Sequence, residues 1–213
     1  MIIAIDGPAA AGKGTLARRL AEKFNFAYLD TGALYRAVGL TLLKQGIDPT
    51  DTKAAEAAST DLDLGLLDDS DLRAEATGGA ASKVAAMPAV RANLLDFQKN
   101  FAKRPPEGKT GAVLDGRDIG TVVCPDADLK LFVTASPEVR AERRRLEMEG
   151  RGQQADFDAI LADVRARDER DMGRKDAPLK PAEDALLLDT SNLDIDAVFL
   201  RAVALVQERL KPQ

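Results

Sequence analysis

The chain reads as an α/β protein: a five-stranded parallel sheet with helices on both faces. Three observations predict this. Five short apolar runs, Ile2–Asp6, Ala27–Asp30, Ala112–Asp115, Leu129–Thr134 and Ala185–Asp189, are mostly continuous rather than alternating. Continuous runs suit parallel strands covered on both faces. Helical patterns fill the stretches between them. Four of the five runs also end in Asp-containing turns, namely Asp6-Gly7, Asp30-Thr31-Gly32, Asp115-Gly116 and Asp189-Thr190. Polar groups at the carboxyl ends of parallel strands are where such folds build their sites.

The first strand runs into Gly7-Pro8-Ala9-Ala10-Ala11-Gly12-Lys13-Gly14-Thr15. A strand, a Gly-rich loop and a helix start together make a phosphate cradle, with loop amides pointing at phosphate oxygens. Gly7 and Gly12 let the loop curl. Lys13 supplies charge for the β- and γ-phosphates, and the Thr15 hydroxyl can sit near Mg²⁺. The bland alternative is a small-residue turn, but the flanks are right on both sides. In the following helix, Leu16, Leu20 and Phe24 share a face with Ala17 and Ala21, while Arg18, Arg19, Glu22 and Lys23 fall on the wet side.

Further helices are predicted in turn. Leu34–Leu43 stops before Gly46, and Asp51–Ala58 starts with an Asp cap. Ser82–Ala86 is broken by Pro88. Val90, Leu94, Phe97 and Phe101 then mark the next helix. Pro137–Met148 and Phe157–Arg174 are highly charged, with a mobile turn at Gly150–Gln154 between them. The last helix carries Ile195, Val198, Phe199, Ala202, Val203, Val206 and Leu210 on one stripe, which reads as packing alone. Asp61–Ala81, rich in Asp, Gly and Ala, has the least structured pattern.

Composition narrows the chemistry. At 213 residues the chain is one domain with small insertions. A net charge of −5 and no long basic run argue against a nucleic-acid polymer as partner. The single Cys124 points to a reducing compartment, so the expected location is the cytoplasm. No apolar run approaches membrane-spanning length and no N-terminal signal is read. Histidine is absent, which removes a Ser-His-Asp triad and a histidine zinc site. Lys, Arg, Asp, hydroxyls and metal remain, and phosphoryl transfer suits that set.

Two more turns carry candidate chemistry. Thr31, Tyr35 and Arg36 follow the second strand and suit an anionic acceptor, although a capped helix start with an incidental Arg would look the same. Asp115-Gly116-Arg117-Asp118 follows the third strand. Asp115 stands where P-loop proteins hold Mg²⁺ or its waters. The bland reading of Arg117 and Asp118 is a mutual surface ion pair worth little. Arg140, Arg143 and Arg144 share one helix face, as do Arg167, Arg170, Asp171 and Arg174. Such runs are ordinarily solvated, with Glu138, Glu142, Asp168 and Glu169 as partners; the alternative is a lid closing over phosphoryl groups.

Together these blocks resemble the bacterial cytidylate kinases, P-loop nucleoside monophosphate kinases, nearly end to end. The order Gly-Lys-Gly-Thr in the first loop is the form such kinases use. The resemblance continues through Leu29–Arg36, Val84–Pro88 with Val90-Arg91, Asp115–Val123, Arg167–Asp171 with Arg174, and Ala177–Leu179. It implies transfer of the γ-phosphoryl group of ATP to CMP or dCMP, with Mg²⁺ held by Thr15 and Asp115, the latter through water. Gly7–Thr15 would bind ATP. Thr31, Tyr35, Arg36 and Arg117 would hold the CMP phosphate, and Ser82, Arg91 and Asp118 would read the cytosine edge. Arg167 and Asp171 would hold the sugar. Lys13, Arg143, Arg144 and Arg174 would be catalytic.

The resemblance further implies a core of residues 1–60, 104–139 and 155–213, an acceptor-binding insertion near 61–103 and a lid near 140–154. A small β-rich insertion of the family's larger members is short here, over Leu64–Gly79, and lacks alternating β-branched residues. The chain is expected to act as a monomer on ATP and CMP or dCMP, away from membranes. Two rivals stay open: a P-loop kinase for another acceptor such as UMP or AMP, and a nucleotide-hydrolysing switch. A catalytically dead binding module conflicts with the intact Lys13 and Thr15.

Overall fold

The computed structural model describes residues 1–210; the last three residues of the predicted 155–213 core segment lie outside the described residues. Five parallel strands, β1 (Ile2–Asp6), β2 (Ala27–Asp30), β3 (Ala112–Gly116), β4 (Leu129–Thr134) and β5 (Leu186–Asp189), form one sheet in the order β2-β3-β1-β4-β5. β1 lies at the centre because both of its faces are apolar. Ile3 and Ile5 face one side with Val113, Leu131 and Val133, beneath α1 (Lys13–Phe24) and α8 (Ile195–Leu210). Ala4 faces the other side with Leu114 and Ala102, the last on α5 (Pro88–Lys103). Side chains alternate across a strand, so a strand covered on both faces must be apolar throughout. Each fully buried Ile or Leu contributes about 1.5–3 kcal/mol.

β5 departs from the expectation of two covered faces. Only Leu188 is buried, and Leu187 is 60% exposed. It is an edge strand, and α8 covers one face of it. The α8 stripe is also shorter than the sequence pattern. Val198, Ala202, Val203 and Val206 are buried, whereas Ile195 and Leu210 stay exposed at its two ends.

α2 (Thr31–Lys44) starts at an Asp30 cap, whose carboxylate accepts from the Ala33 amide at 3.1 Å. α3 (Thr52–Thr60) starts at the predicted Asp51 cap, which accepts from the Lys53 and Ala54 amides. The segment read as least structured is ordered. Two 3₁₀ turns, Leu64–Asp68 and Ser70–Arg73, lead into α4 (Glu75–Val84). α4 therefore begins well before Ser82. Gly78 and Gly79 hid it, since each costs about 1 kcal/mol of helix propensity. Glycine is also what the helix crossing requires: a Cβ on Gly39 of α2 would sit 2.9 Å from the Ala80 Cβ. α4 ends at Val84, Met87 is extended as a residue before proline should be, and Pro88 opens α5 at its first position.

α6 (Pro137–Gly150) and α7 (Phe157–Met172) form a helical hairpin around their own apolar cluster of Ala141, Ile160 and Val164. α7 ends at Met172, two residues sooner than predicted, with Gly173 as its cap, so Arg174 lies beyond the helix. A Cβ on Gly173 would meet the Glu169 carbonyl at 2.9 Å. Among the described residues no helix is long and apolar enough to cross a membrane.

Candidate active site

The loop after β1 is shaped by positions that tolerate little. Gly7 has φ 146°, and a Cβ there would lie 1.9 Å from the Val133 carbonyl oxygen. Ala10 holds φ 58°, the left-handed region, without being glycine. Lys13 Nζ donates to the Pro8 carbonyl at 2.7 Å across the loop. Burial, and then the Arg117 charge, push the Lys13 ammonium down to about 7. No side chain caps α1, so its first amides are open to an anion.

The second glycine of Gly-Lys-Gly-Thr has a local cause. A Cβ on Gly14 would sit 3.2 Å from Asp115 Oδ2 and 3.6 Å from the Tyr28 hydroxyl. Tyr28 donates to that carboxylate at 3.2 Å. Burial, and then the Asp30 charge, raise the Asp115 carboxyl to about 6. Asp6 is raised to about 6 by burial even though it accepts from the Ile119 and Gly120 amides, each at 2.7 Å.

Two clefts flank this loop. One, of about 650 Å³, is lined by Ala10–Leu16, Arg143, Thr190 and the start of α8, including Ile195 and Phe199. Its position accounts for the exposure of Ile195. The other, of about 540 Å³, gathers Thr31, Tyr35, Arg36, Ser82, Arg91, Arg117, Asp118, Arg167, Asp171 and Arg174, every residue predicted for the acceptor. Lys13, Gly14 and Arg144 line both clefts, so the two spaces meet there. Thr15 lines only the first and Asp115 only the second.

The partners within the second cleft differ from the bland sequence reading. Arg117 and Asp118 do not pair with each other. Arg117 Nε donates to Asp171 Oδ2 at 2.9 Å, and Arg91 pairs with Asp118. Asp171 also pairs with Arg174. Burial pushes the Asp171 carboxyl up, but Arg117, Arg174 and Arg167 hold it below the usual carboxylate range. Burial raises Asp118 against the pull of Arg91. Thr31 Oγ1 donates to the Asp115 carbonyl at 2.7 Å. Arg36 donates to the Leu72 and Ala74 carbonyls at 3.0 and 3.4 Å. The Arg91 guanidinium lies 5.9 Å from the Tyr35 ring centre. Ser82 Oγ accepts from Arg170 at 2.7 Å.

Arg167 is pushed down to about 10 by burial and then by Arg117. Its Nε and that of Arg174 are buried without a partner. Orphaned buried donors of this kind suit an anionic ligand. For magnesium, no group of three or more acidic or thiol side chains among the described residues forms a cage. One buried carboxylate beside a phosphate loop fits an ion that keeps its waters and arrives on phosphates.

The arginines of α6 divide. Arg140 is buried, donates to the Ala135 and Ala9 carbonyls, and pairs with Asp168 of α7, so it is structural. Arg143 donates to the Thr190 hydroxyl and carbonyl at 3.0 and 2.8 Å on the first cleft. Arg144 hydrogen-bonds, among the described residues, to Glu147 at 3.4 Å. Glu138 and Glu142 do form surface pairs, but with Arg165 and Arg145 rather than with the arginines of the two runs, and Asp168 pairs in the interior instead of at the surface. Sequence reasoning missed Thr190, Arg73 and the Arg170 contact to Ser82. Thr190 was legible as the turn after the fifth strand; Arg73 lay in the segment read as unstructured.

Comparison with known proteins identifies the family. A family model described as cytidylate kinase matches residues 3–208. A cytidylate kinase of Paramagnetospirillum magneticum is 60% identical over 205 residues, 96% of this chain and 97% of that protein. One of Rhodopseudomonas palustris is 58% identical, covering 97% and 96%. An uncharacterized protein from Eubacterium ventriosum shares the fold with a TM-score of 0.55 at 14% identity, over 97% and 98% of the two chains. Matched by the family model over nearly its whole length and by curated relatives at 58–60% identity, this chain belongs to the cytidylate kinase family.

Proposed function

We propose that this chain transfers the γ-phosphoryl group of ATP to CMP and dCMP, yielding CDP and dCDP. The observation that carries the reading is the meeting of two clefts at Lys13 and Arg144, one on the phosphate loop and one rich in Arg and Asp. Two such spaces suit a donor and an acceptor held in line, and positioning supplies much of phosphoryl-transfer catalysis.

In this reading Gly7–Thr15 hold the triphosphate, and Lys13, Arg143, Arg144 and Arg174 neutralise charge on the moving group. Magnesium, when bound with ATP, neutralises phosphate oxygens; Thr15 and, through water, Asp115 would hold it. Thr31, Tyr35, Arg36 and Arg117 take the acceptor phosphate. Ser82, Arg91 and Asp118 read cytosine: the N4 amino group donates to oxygen, and Arg91 donates to O2 and N3. Arg167 and Asp171 hold the sugar. We assign residues 1–60, 104–139 and 155–213 to the core, 61–103 to the acceptor arm and 140–154 to the lid. The separate apolar cluster of α6 and α7 supports a lid that carries the start of α7 with it. Both clefts lie on one chain, which supports a monomer, and the ATP requirement supports a cytoplasmic setting.

A coupled assay of ADP release across CMP, dCMP, UMP, AMP and GMP tests the proposal. CMP and dCMP should be the preferred acceptors. Preference for another acceptor, or phosphate release with no acceptor, would overturn it.

A further inference from the structure

Arg73 stands where no assigned role reaches. Five charged side chains line both clefts: Lys13, Asp30, Arg73, Arg144 and Glu147. Three are cations. Lys13 comes from the phosphate loop and Arg144 from the lid; Arg73 comes from the shortened arm, at the end of the 3₁₀ turn Ser70–Arg73. The three thus reach one junction from three separate parts of the fold.

The backbone around Arg73 is anchored while its head is not. Leu72 is buried against Ala37 and Leu40 of α2. The carbonyls on either side, of Leu72 and Ala74, receive the Arg36 guanidinium. The Arg73 side chain is 57% exposed, and its nearest carboxylate is Asp30 at 3.7 Å, beyond hydrogen-bond reach. Such a pair is loosely held and screened by water. A fixed stem with a loosely held fork fits a group that engages an anion when one arrives.

We propose that Arg73 contacts the phosphoryl group during its transfer, as a third junction cation supplied by the acceptor arm. The shortened arm then contributes directly to the chemistry, opposite the lid. Arg36, through its bonds to the flanking carbonyls, ties acceptor-phosphate binding to the position of Arg73. This rests on the kinase reading above.

The test compares wild type with Arg73→Ala and Arg73→Lys in the full chain. kcat and KM are measured for ATP and CMP. CMP binding is also measured by calorimetry with ADP alone and with ADP plus aluminium fluoride, which mimics the phosphoryl group in flight. Arg73→Ala should lower kcat by roughly 10²-fold or more, by analogy with other phosphate-contacting arginines. It should also lose at least tenfold of the fluoride-dependent tightening, while CMP affinity with ADP alone changes less than threefold. Arg73→Lys, which keeps charge but not the fork, should recover part of both. A purely structural role through Asp30 would not alter the fluoride-dependent step. Undiminished tightening in Arg73→Ala, or a kcat within threefold of wild type, would overturn the inference. Were another nucleotide the true acceptor, the functional reading would fail, and the same comparison with that nucleotide would still decide the role of Arg73.

Discussion

Lys13 is buried, crosses its own loop to the Pro8 carbonyl, and lines both clefts. Lys13→Ala should abolish turnover while far-ultraviolet circular dichroism stays native; near-normal turnover would remove its role. Asp118→Ala should erase the preference for CMP over UMP, read as the ratio of kcat/KM values, because the N4 amino group loses its acceptor. Asp6 supplies a pH test. Its folded pKa is about 6 against an ordinary 3.8, because burial disfavours the anion. Folding therefore favours its protonated form. That contribution is full below pH 3.8 and is lost as pH rises through 6. Asp6→Asn should flatten the fall in stability between pH 4 and 6, measured by denaturant titration; an unchanged slope would contradict the assignment. Single residues were legible where chemistry and position coincided, as in the loop lysine. Pairings were less so. Arg117 and Asp118 are adjacent in sequence, yet each takes a distant partner, Asp171 and Arg91, because the fold brings α7 and α5 to the end of β3.

At the scale of elements, the strands were read from the sequence to within a residue, since continuous apolar runs ending in Asp leave little choice of bounds. Helices with weak local signals were read poorly. α4 was cut short by Gly78 and Gly79, whose cost in propensity conceals the room that Gly78 gives the Arg36 guanidinium beside it. The joint between α6 and α7 depends on a buried ion pair, Arg140 with Asp168. Sequence pattern placed Arg140 on one face with Arg143 and Arg144; only burial separates them. Arg140→Ala leaves Asp168 without its cation, and breaking such a pair costs about 3–5 kcal/mol. Faster amide hydrogen exchange in α6 and α7 than in β1 and β3 should accompany the loss. Protection equal to wild type throughout the hairpin would show the pair to be dispensable.

For the whole molecule, the two clefts share walls, so their occupants should feel one another. A non-hydrolysable ATP analogue and CMP, each at about a hundred times its Kd, should each add about 2.7 kcal/mol. Together they should raise the melting temperature by more than the sum of the separate shifts, because Lys13 and Arg144 face both spaces. A strictly additive shift would mean that the spaces work independently. Fold class and the phosphate loop were legible in the sequence because each is encoded locally. The convergence of three cations was not, because residues 13, 73 and 144 meet only through tertiary packing. Arg140 joins these levels in one guanidinium, gripping Asp168 on one side and the Ala9 carbonyl of the phosphate loop on the other. It works as an oarlock: any displacement of the hairpin should be felt at the loop, and any displacement of the loop at the hairpin.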